Sequence, residues 1–223
     1  MNNVREGNGL CTSKTNATLG KFIVFEGVDG CGKTTQVQLL MEYLKSKNIP
    51  AILTKVPGGT SIGDKIRGIL LDPDNTEMVP RTEMLLYAVS RGQQAFEKII
   101  PTLKSGTTVV CDRYFYSSLA YQGGGRGLNK DIILELHRIA TDDLHADLVI
   151  LIDITVEEST RRLTGRRGVA LDRLERETVE FFQRTRAAYL EQAKSPRFNI
   201  VNGDDTVANI HNKIKTLIDN LYK

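Results

Sequence analysis

Residues 22 to 34 read Phe22-Ile23-Val24-Phe25-Glu26-Gly27-Val28-Asp29-Gly30-Cys31-Gly32-Lys33-Thr34. The first four are β-branched or aromatic and read as a buried strand. Positions 27 to 34 then fit the spacing G-x-x-x-x-G-K-T, and apolar residues from Thr35 to Leu44 recur at helical intervals. Strand, glycine-rich turn and helix in that order make a phosphate-binding loop. Its glycines let backbone N–H groups turn inward onto phosphate oxygens at a helix N-terminus. Lys33 adds a point charge on the outer phosphates, and the Thr34 hydroxyl is of the type that ligates Mg²⁺. The candidate ATP-binding set is Gly27, Val28, Asp29, Gly30, Cys31, Gly32, Lys33, Thr34 and Thr35.

Working outward, strand-like runs fall at 22–26, 50–54, 107–111, 147–153 and 198–202. Helical patterns occupy 33–47, 61–71, 80–104, 129–143, 155–164, 172–194 and 205–222. Alternating strands and helices predict an α/β fold, with a five-stranded parallel sheet and helices on both faces. Ligands of such sheets bind beyond the carboxyl ends of the strands, so the loops after each strand carry the chemistry. Pro101 falls inside a helical pattern and is expected to kink or restart it. No linker divides residues 21–223, which read as one domain. Residues 1–20 are polar, without the apolar centre of a signal peptide, and read as a flexible tail.

The chain has 223 residues, enough for a sizeable core. Its formal charge of +3 is small for that length and gives no general case for nucleic-acid binding. Cys11, Cys31 and Cys111 show neither metal-ligand spacing nor a disulfide framework, which suits a reducing cytoplasmic setting. No stretch is long and apolar enough to suggest a membrane span.

The loops after the strands hold several further motifs. After strand two comes Lys55-Val56-Pro57-Gly58-Gly59-Thr60. After strand three come Asp112-Arg113-Tyr114, Ser117-Ser118 and Ala120-Tyr121-Gln122-Gly123-Gly124-Gly125-Arg126-Gly127. Gly165-Arg166-Arg167-Gly168 and Leu171-Asp172-Arg173-Leu174-Glu175 follow strand four and its helix. Tyr87 and Arg91, four apart in a helical pattern, share a face. From about Phe22 to the C-terminus these motifs, in this order and spacing, resemble thymidylate kinase, a phosphate-loop kinase family that phosphorylates dTMP from ATP. The resemblance implies the three-layer P-loop NTPase sandwich, ATP and dTMP as substrates, Mg²⁺ and a homodimer built on the helices near 80–104 and 129–143.

Some site residues make chemical sense on their own. A carboxylate inside a phosphate loop is repelled by the polyphosphate beside it, so Asp29 needs a compensating partner. A sugar hydroxyl or a hydrated Mg²⁺ would serve, and the resemblance places Asp29 near the sugar hydroxyl and the metal network. Asp112 closes strand three opposite the loop and is the second metal-side candidate. Asp172 and Glu175, three apart, fit either a helix capping box or a part in the metal and hydroxyl network.

Other roles come from the resemblance alone. Arg113 is expected to bind the acceptor phosphate, with Arg91 reaching in from the helix. Tyr87 is expected to stack on the base, Tyr121 to pack on the sugar and Pro57 to lie near the nucleotide. Ser117, Ser118 and Gln122 offer hydrogen bonds to the pyrimidine edge. The family supplies a catalytic arginine from the phosphate loop or from a lid. The loop here has none, so a lid at about 162–172 is expected to provide Arg166 or Arg167, with Arg162 behind them. Arg67 is a weaker candidate, and Gly123–Gly127 reads as a flexible turn. Relatives commonly read Arg-Glu before Pro-Gly-Gly-Thr; here Lys55-Val56 removes the acid and the forked cation. A kinase for a different acceptor and a binding module without catalysis are the competing readings. No Asn-Lys-x-Asp segment supports a guanine-reading switch.

Overall fold

The computed structural model describes residues 19–165 and 170–223. Five strands form one parallel sheet in the order β2-β3-β1-β4-β5. They are β1 (Phe22–Glu26), β2 (Ala51–Lys55), β3 (Thr108–Asp112), β4 (Leu148–Asp153) and β5 (Phe198–Asn202). All five β1 residues are buried. Successive side chains point to opposite faces, so the central strand is covered on both sides, as its unbroken run requires. The register sets Phe25 against Asp112, which brings the loop after β1 beside Asp112 and Arg113. β1 is flanked by β3 and β4, so the connections diverge there and leave a crevice at the strands' carboxyl ends.

The helices are α1 (Lys33–Ser46), α2 (Ser61–Leu71), α3 (Pro80–Gln94), α4 (Ile100–Lys104), α5 (Phe115–Ser118), α6 (Lys130–Thr141), α7 (Val156–Thr164), α8 (Val179–Gln192) and α9 (Val207–Leu221). Hydroxyl or amide side chains cap several N-termini. Thr60 accepts from the Gly63 amide, Asn129 from Asp131, Thr155 from Glu158, Thr178 from Phe181 and Thr206 from Asn209.

The restart expected at Pro101 is found, and two other expectations need correction. The pattern at 80–104 is helical throughout but not one α-helix: a π turn at Ala95–Ile99 separates α3 from α4, with Pro101 in the first turn of α4. Proline has no N–H to continue the ladder, and the wider turn precedes it. The pattern at 172–194 is helical only from Val179. Asp172 and Glu175 still exchange the predicted reciprocal hydrogen bonds, the Asp172 amide to Glu175 Oε2 and the Glu175 amide to Asp172 Oδ1. They close a turn rather than start a helix, because Arg173 is drawn away to α2, its amide donating to Leu71 O and its Nε to Leu70 O. Lastly, Gly123–Gly125 belong to a π-helical segment, Leu119–Gly125, packed against α8. A Cβ on Gly125 would lie 2.4 Å from the Phe181 ring, so these glycines allow close packing rather than flexibility.

Candidate functional site

The loop after β1 has the backbone that its glycines predict. Gly27 has φ +141°, and a Cβ there would meet the Ile152 carbonyl at 2.4 Å. Gly32, at φ +96°, is the α1 N-cap, opening the helix in the left-handed region that glycine alone enters freely. Lys33 is nearly buried, and its Nζ donates to Gly27 O and Val28 O at 3.0 Å each. Val28 and Cys31 point into the core, so these two positions offer a ligand their backbone, not their side chains.

Two clefts meet beside this loop. One, of about 940 Å³, is lined by Gly30, Gly32, Lys33, Thr34, Thr35, Lys55, Asp112, Arg162 and Glu175 among others. The other, of about 510 Å³, is lined by Pro57, Leu71, Tyr87, Tyr114, Ser117, Tyr121, Gln122 and Leu174. Asp29, Val56, Arg67, Arg113 and Asp172 line both and form the wall they share.

Arg113 and Asp29 are the centre of that wall. Arg113 Nη2 lies 2.5 Å from Asp29 Oδ1, and the Tyr121 hydroxyl donates to Oδ2 at 2.7 Å. The compensating partner of Asp29 is thus a side chain of the protein, supplied across the sheet by β3. Burial raises the Asp29 pKa, but the cations of Arg113 and Lys33 outweigh it and hold the carboxyl at about 2. Arg113 sits at φ +69°, an unusual conformation for a non-glycine residue. Its guanidinium also donates to Gly27 O at 2.8 Å, Tyr189 Oη at 3.1 Å and Ser117 Oγ at 3.3 Å, which together hold it there.

Behind Arg113 lies a carboxylate the motifs did not single out. Glu26 is fully buried at the end of β1. It accepts from the Tyr114 and Ser117 amides at 2.8 and 3.2 Å, the Ser117 hydroxyl at 2.6 Å and the Tyr189 hydroxyl at 2.7 Å. Burial pushes its pKa up, against the pull of Arg113 and these bonds. An acid closing an otherwise apolar strand was a legible signal, since a buried carboxylate demands partners. Nothing local marked Tyr189, which arrives from α8.

The Lys55-Val56 corner is held by neutral groups of α3 together with charged side chains of α2, Asp64 Oδ1 accepting from the Gly59 amide at 3.0 Å. Gln94 Nε2 donates to Thr54 Oγ1, Lys55 O and Gly58 O at 2.8, 2.5 and 2.9 Å, and the Gly58 amide donates to Ser90 Oγ at 3.1 Å. Neutral groups on α3 fix the loop after β2, and buried Val56 adds an apolar wall to both clefts. Arg67 does not float in solvent: Nη1 donates to Pro57 O at 3.0 Å.

Not every predicted residue reaches the clefts. Arg91 is fully buried and donates to Ser118 Oγ at 3.1 Å; this pair stands behind the smaller cleft and does not line it. Burial lowers the Arg91 pKa to about 10, so it stays a cation at neutral pH. Arg126 is committed to Glu83 and Glu177, at 3.0 and 2.6 Å. Arg166 and Arg167 lie outside the described residues. Arg162 lines the larger cleft while paired with Glu158 at 2.5 Å. A divalent cation has a fitting donor set there. Thr34 and Asp112 line one cleft, and the buried Asp112 Oδ1 has no hydrogen-bond partner among the described residues.

The profile of the thymidylate kinase family matches residues 25–214. A thymidylate kinase of Carboxydothermus hydrogenoformans is 48% identical over 202 residues, covering 91% of this chain and 98% of the relative. One from Pelotomaculum thermopropionicum is 49% identical over 80% of this chain and 82% of its own length. One from Caldanaerobacter subterraneus subsp. tengcongensis is 45% identical over 92% and 97%.

Proposed function

Because the chain belongs to the thymidylate kinase family, we propose that its paired clefts divide ATP and dTMP between them, with the Asp29–Arg113 wall at the point of transfer. The reaction moves the γ-phosphoryl group of ATP to dTMP, giving dTDP and ADP. The observation that carries the division is the shared wall itself: one cleft holds the phosphate loop, the other an aromatic and amide-bearing lining, and Arg113 borders both.

Phosphoryl transfer is mostly positioning and charge neutralisation. Gly27–Thr35 and Lys33 hold the donor phosphates. Thr34 and Asp112 would hold a Mg²⁺ ion, which would supply charge neutralisation on the phosphate oxygens. Arg113 holds the acceptor phosphate, and its ties to Asp29, Gly27 and Ser117 fix where that phosphate sits. The acceptor dianion is already a nucleophile, so no strong general base is needed. Tyr87 stacks on the base, Tyr121 packs on the sugar while orienting Asp29, and Pro57, Ser117 and Gln122 complete the acceptor cleft. Arg91 and Ser118 act from behind it. A lid at about 162–172 brings Arg166 or Arg167 to the transferred group, with Arg162 at its base.

Residues 21–223 act as one kinase domain; of the stretch before it that was expected to be a tail, residues 1–18 lie outside the described residues. Leu85, Val89 and Phe96 are exposed along α3 and the π turn, as are Ile132 and Ile139 on neighbouring α6, which supports a homodimer on this face. No described helix is long and apolar enough to cross a membrane. Cys31 and Cys111 are buried free thiols, consistent with a reducing cytoplasm.

The test is ADP release with ATP and Mg²⁺, run against dTMP, dUMP, dCMP, thymidine and no acceptor. Release that needs dTMP and Mg²⁺ supports the reading. Equal rates with dUMP would mean that the apolar Val56 corner has relaxed the acceptor cleft, and no release with any acceptor would overturn it.

A further inference from the structure

Gln122 lines the acceptor cleft, and its amide can present either a donor or an acceptor to a base. Which face it presents is decided by a residue that does not touch that cleft. Glu83, in the first turn of α3, is fully buried, and its Oε1 accepts from Gln122 Nε2 at 2.9 Å. The same carboxylate meets Arg126 Nη2 at 3.0 Å and Arg173 Nη2 at 2.7 Å. Between two guanidinium groups Glu83 stays ionised, and an ionised carboxylate only accepts hydrogen bonds. The Gln122 nitrogen is therefore committed to Glu83, and a flip would set two acceptor oxygens against each other. The carbonyl oxygen, which accepts from no described residue, is what Gln122 has left for a ligand.

We propose that Glu83 is the positioning residue that makes the acceptor cleft select a pyrimidine carrying a hydrogen on its ring nitrogen. The proposal rests on the acceptor reading above. Thymine and uracil carry an N3–H that donates to a carbonyl; cytosine has a bare N3 that would meet the Gln122 oxygen lone pair to lone pair. Holding a polar group in one orientation rejects the wrong partner more strongly than shape alone. Arg126 and Arg173 serve the same end by keeping Glu83 charged.

The experiment measures kcat/KM for dTMP and for dCMP on the same preparation, since their ratio does not depend on how much of the protein is folded. In Glu83→Gln, residue 83 can donate to the Gln122 oxygen and let the amide turn; the dTMP:dCMP ratio is expected to fall about tenfold or more. Glu83→Asp keeps the charge for both arginines but draws back from Gln122, and it is expected to lose selectivity in the same direction. Gln122→Met removes both faces of the amide without touching an ion pair and must lower the ratio too. Combining it with Glu83→Gln should then cause little further loss. An equal fall for both substrates in the Glu83 variants, leaving the ratio unchanged, would make Glu83 merely structural and overturn the proposal. An unchanged ratio in Gln122→Met would overturn it whatever the Glu83 variants do. A wild-type protein that releases ADP with dTMP but fails these tests loses this inference alone; one inactive on dTMP loses the acceptor reading beneath it.

Discussion

Replacing Asp29 by asparagine tests the wall between the two clefts through folding, with no substrate present. Asp29 keeps about a quarter of its side-chain surface in water, and Arg113 keeps 15%. Opposed by burial but outweighing it, the nearby cations take the carboxyl from the ordinary 3.8 down to about 2. A carboxylate whose pKa is depressed on folding contributes stability that is complete above the unfolded value and disappears as pH falls through the folded one. At 1.36 kcal/mol per pH unit the contribution is about 2.5 kcal/mol at neutral pH and about 1.3 kcal/mol at pH 3. The variant also leaves the Arg113 cation without its partner, but that cost does not change with pH in this range, because an arginine side chain stays protonated from pH 7 down to pH 3. Urea unfolding of wild type and Asp29→Asn at pH 7, 5, 4 and 3 therefore has a definite outcome. The stability gap should be largest at pH 7, hold to about pH 5, and shrink by about 1 kcal/mol at pH 3. A gap that is constant from pH 7 to pH 3, or that widens on acidification, would refute the argument that the ion pair is formed and depresses this carboxyl.

Lys33→Ala removes the charge at the donor phosphates and its two hydrogen bonds to the loop's own carbonyls; turnover should fall about a hundredfold or more with a cooperative thermal transition retained. Near-wild-type turnover in a folded variant would contradict the loop assignment. Chelating divalent metal with EDTA should abolish dTMP-dependent ADP release, and Mg²⁺ should restore it; metal-independent turnover would deny the Thr34–Asp112 site its role. Gly125→Ala forces a Cβ to within 2.4 Å of the Phe181 ring and 2.8 Å of Thr185 Oγ1, so denaturant melts should show about 1–3 kcal/mol of destabilisation. Val89→Arg, on the exposed face of α3, should shift the sedimenting species to the mass of one chain at micromolar concentration; an unchanged species would place any dimer elsewhere.

The parts legible in the linear chain are those whose physics is local. An apolar run followed by G-x-x-x-x-G-K-T specifies strand, loop and helix because its glycines, lysine and threonine act within a few residues of each other. Alternating strand and helix patterns imply a parallel sheet for the same reason, and strand boundaries fell within one residue of their expected places at every strand. Asp29 was recognisable as a charge in need of a partner, and Glu26, closing an apolar strand, carried the same signal unread.

What only the tertiary structure decided are the partners themselves. Arg113 reaches Asp29 because β1 and β3 are adjacent with Phe25 beside Asp112, a register that no single segment contains. Tyr189 arrives from α8, and Gln94 and Ser90 arrive from α3 to hold a corner whose sequence had lost its charged pair. Residues 172–178 were pulled out of a helical pattern by Arg173, and the glycines at 123–125 were taken into a buried π segment by α8. Arg91 and Ser118 satisfied each other behind the cleft they were expected to line. In each case a side chain's role follows from where its hydrogen bonds and charge can be satisfied. For buried groups that place lies tens of residues away along the chain, where only the packed fold brings it within 3 Å.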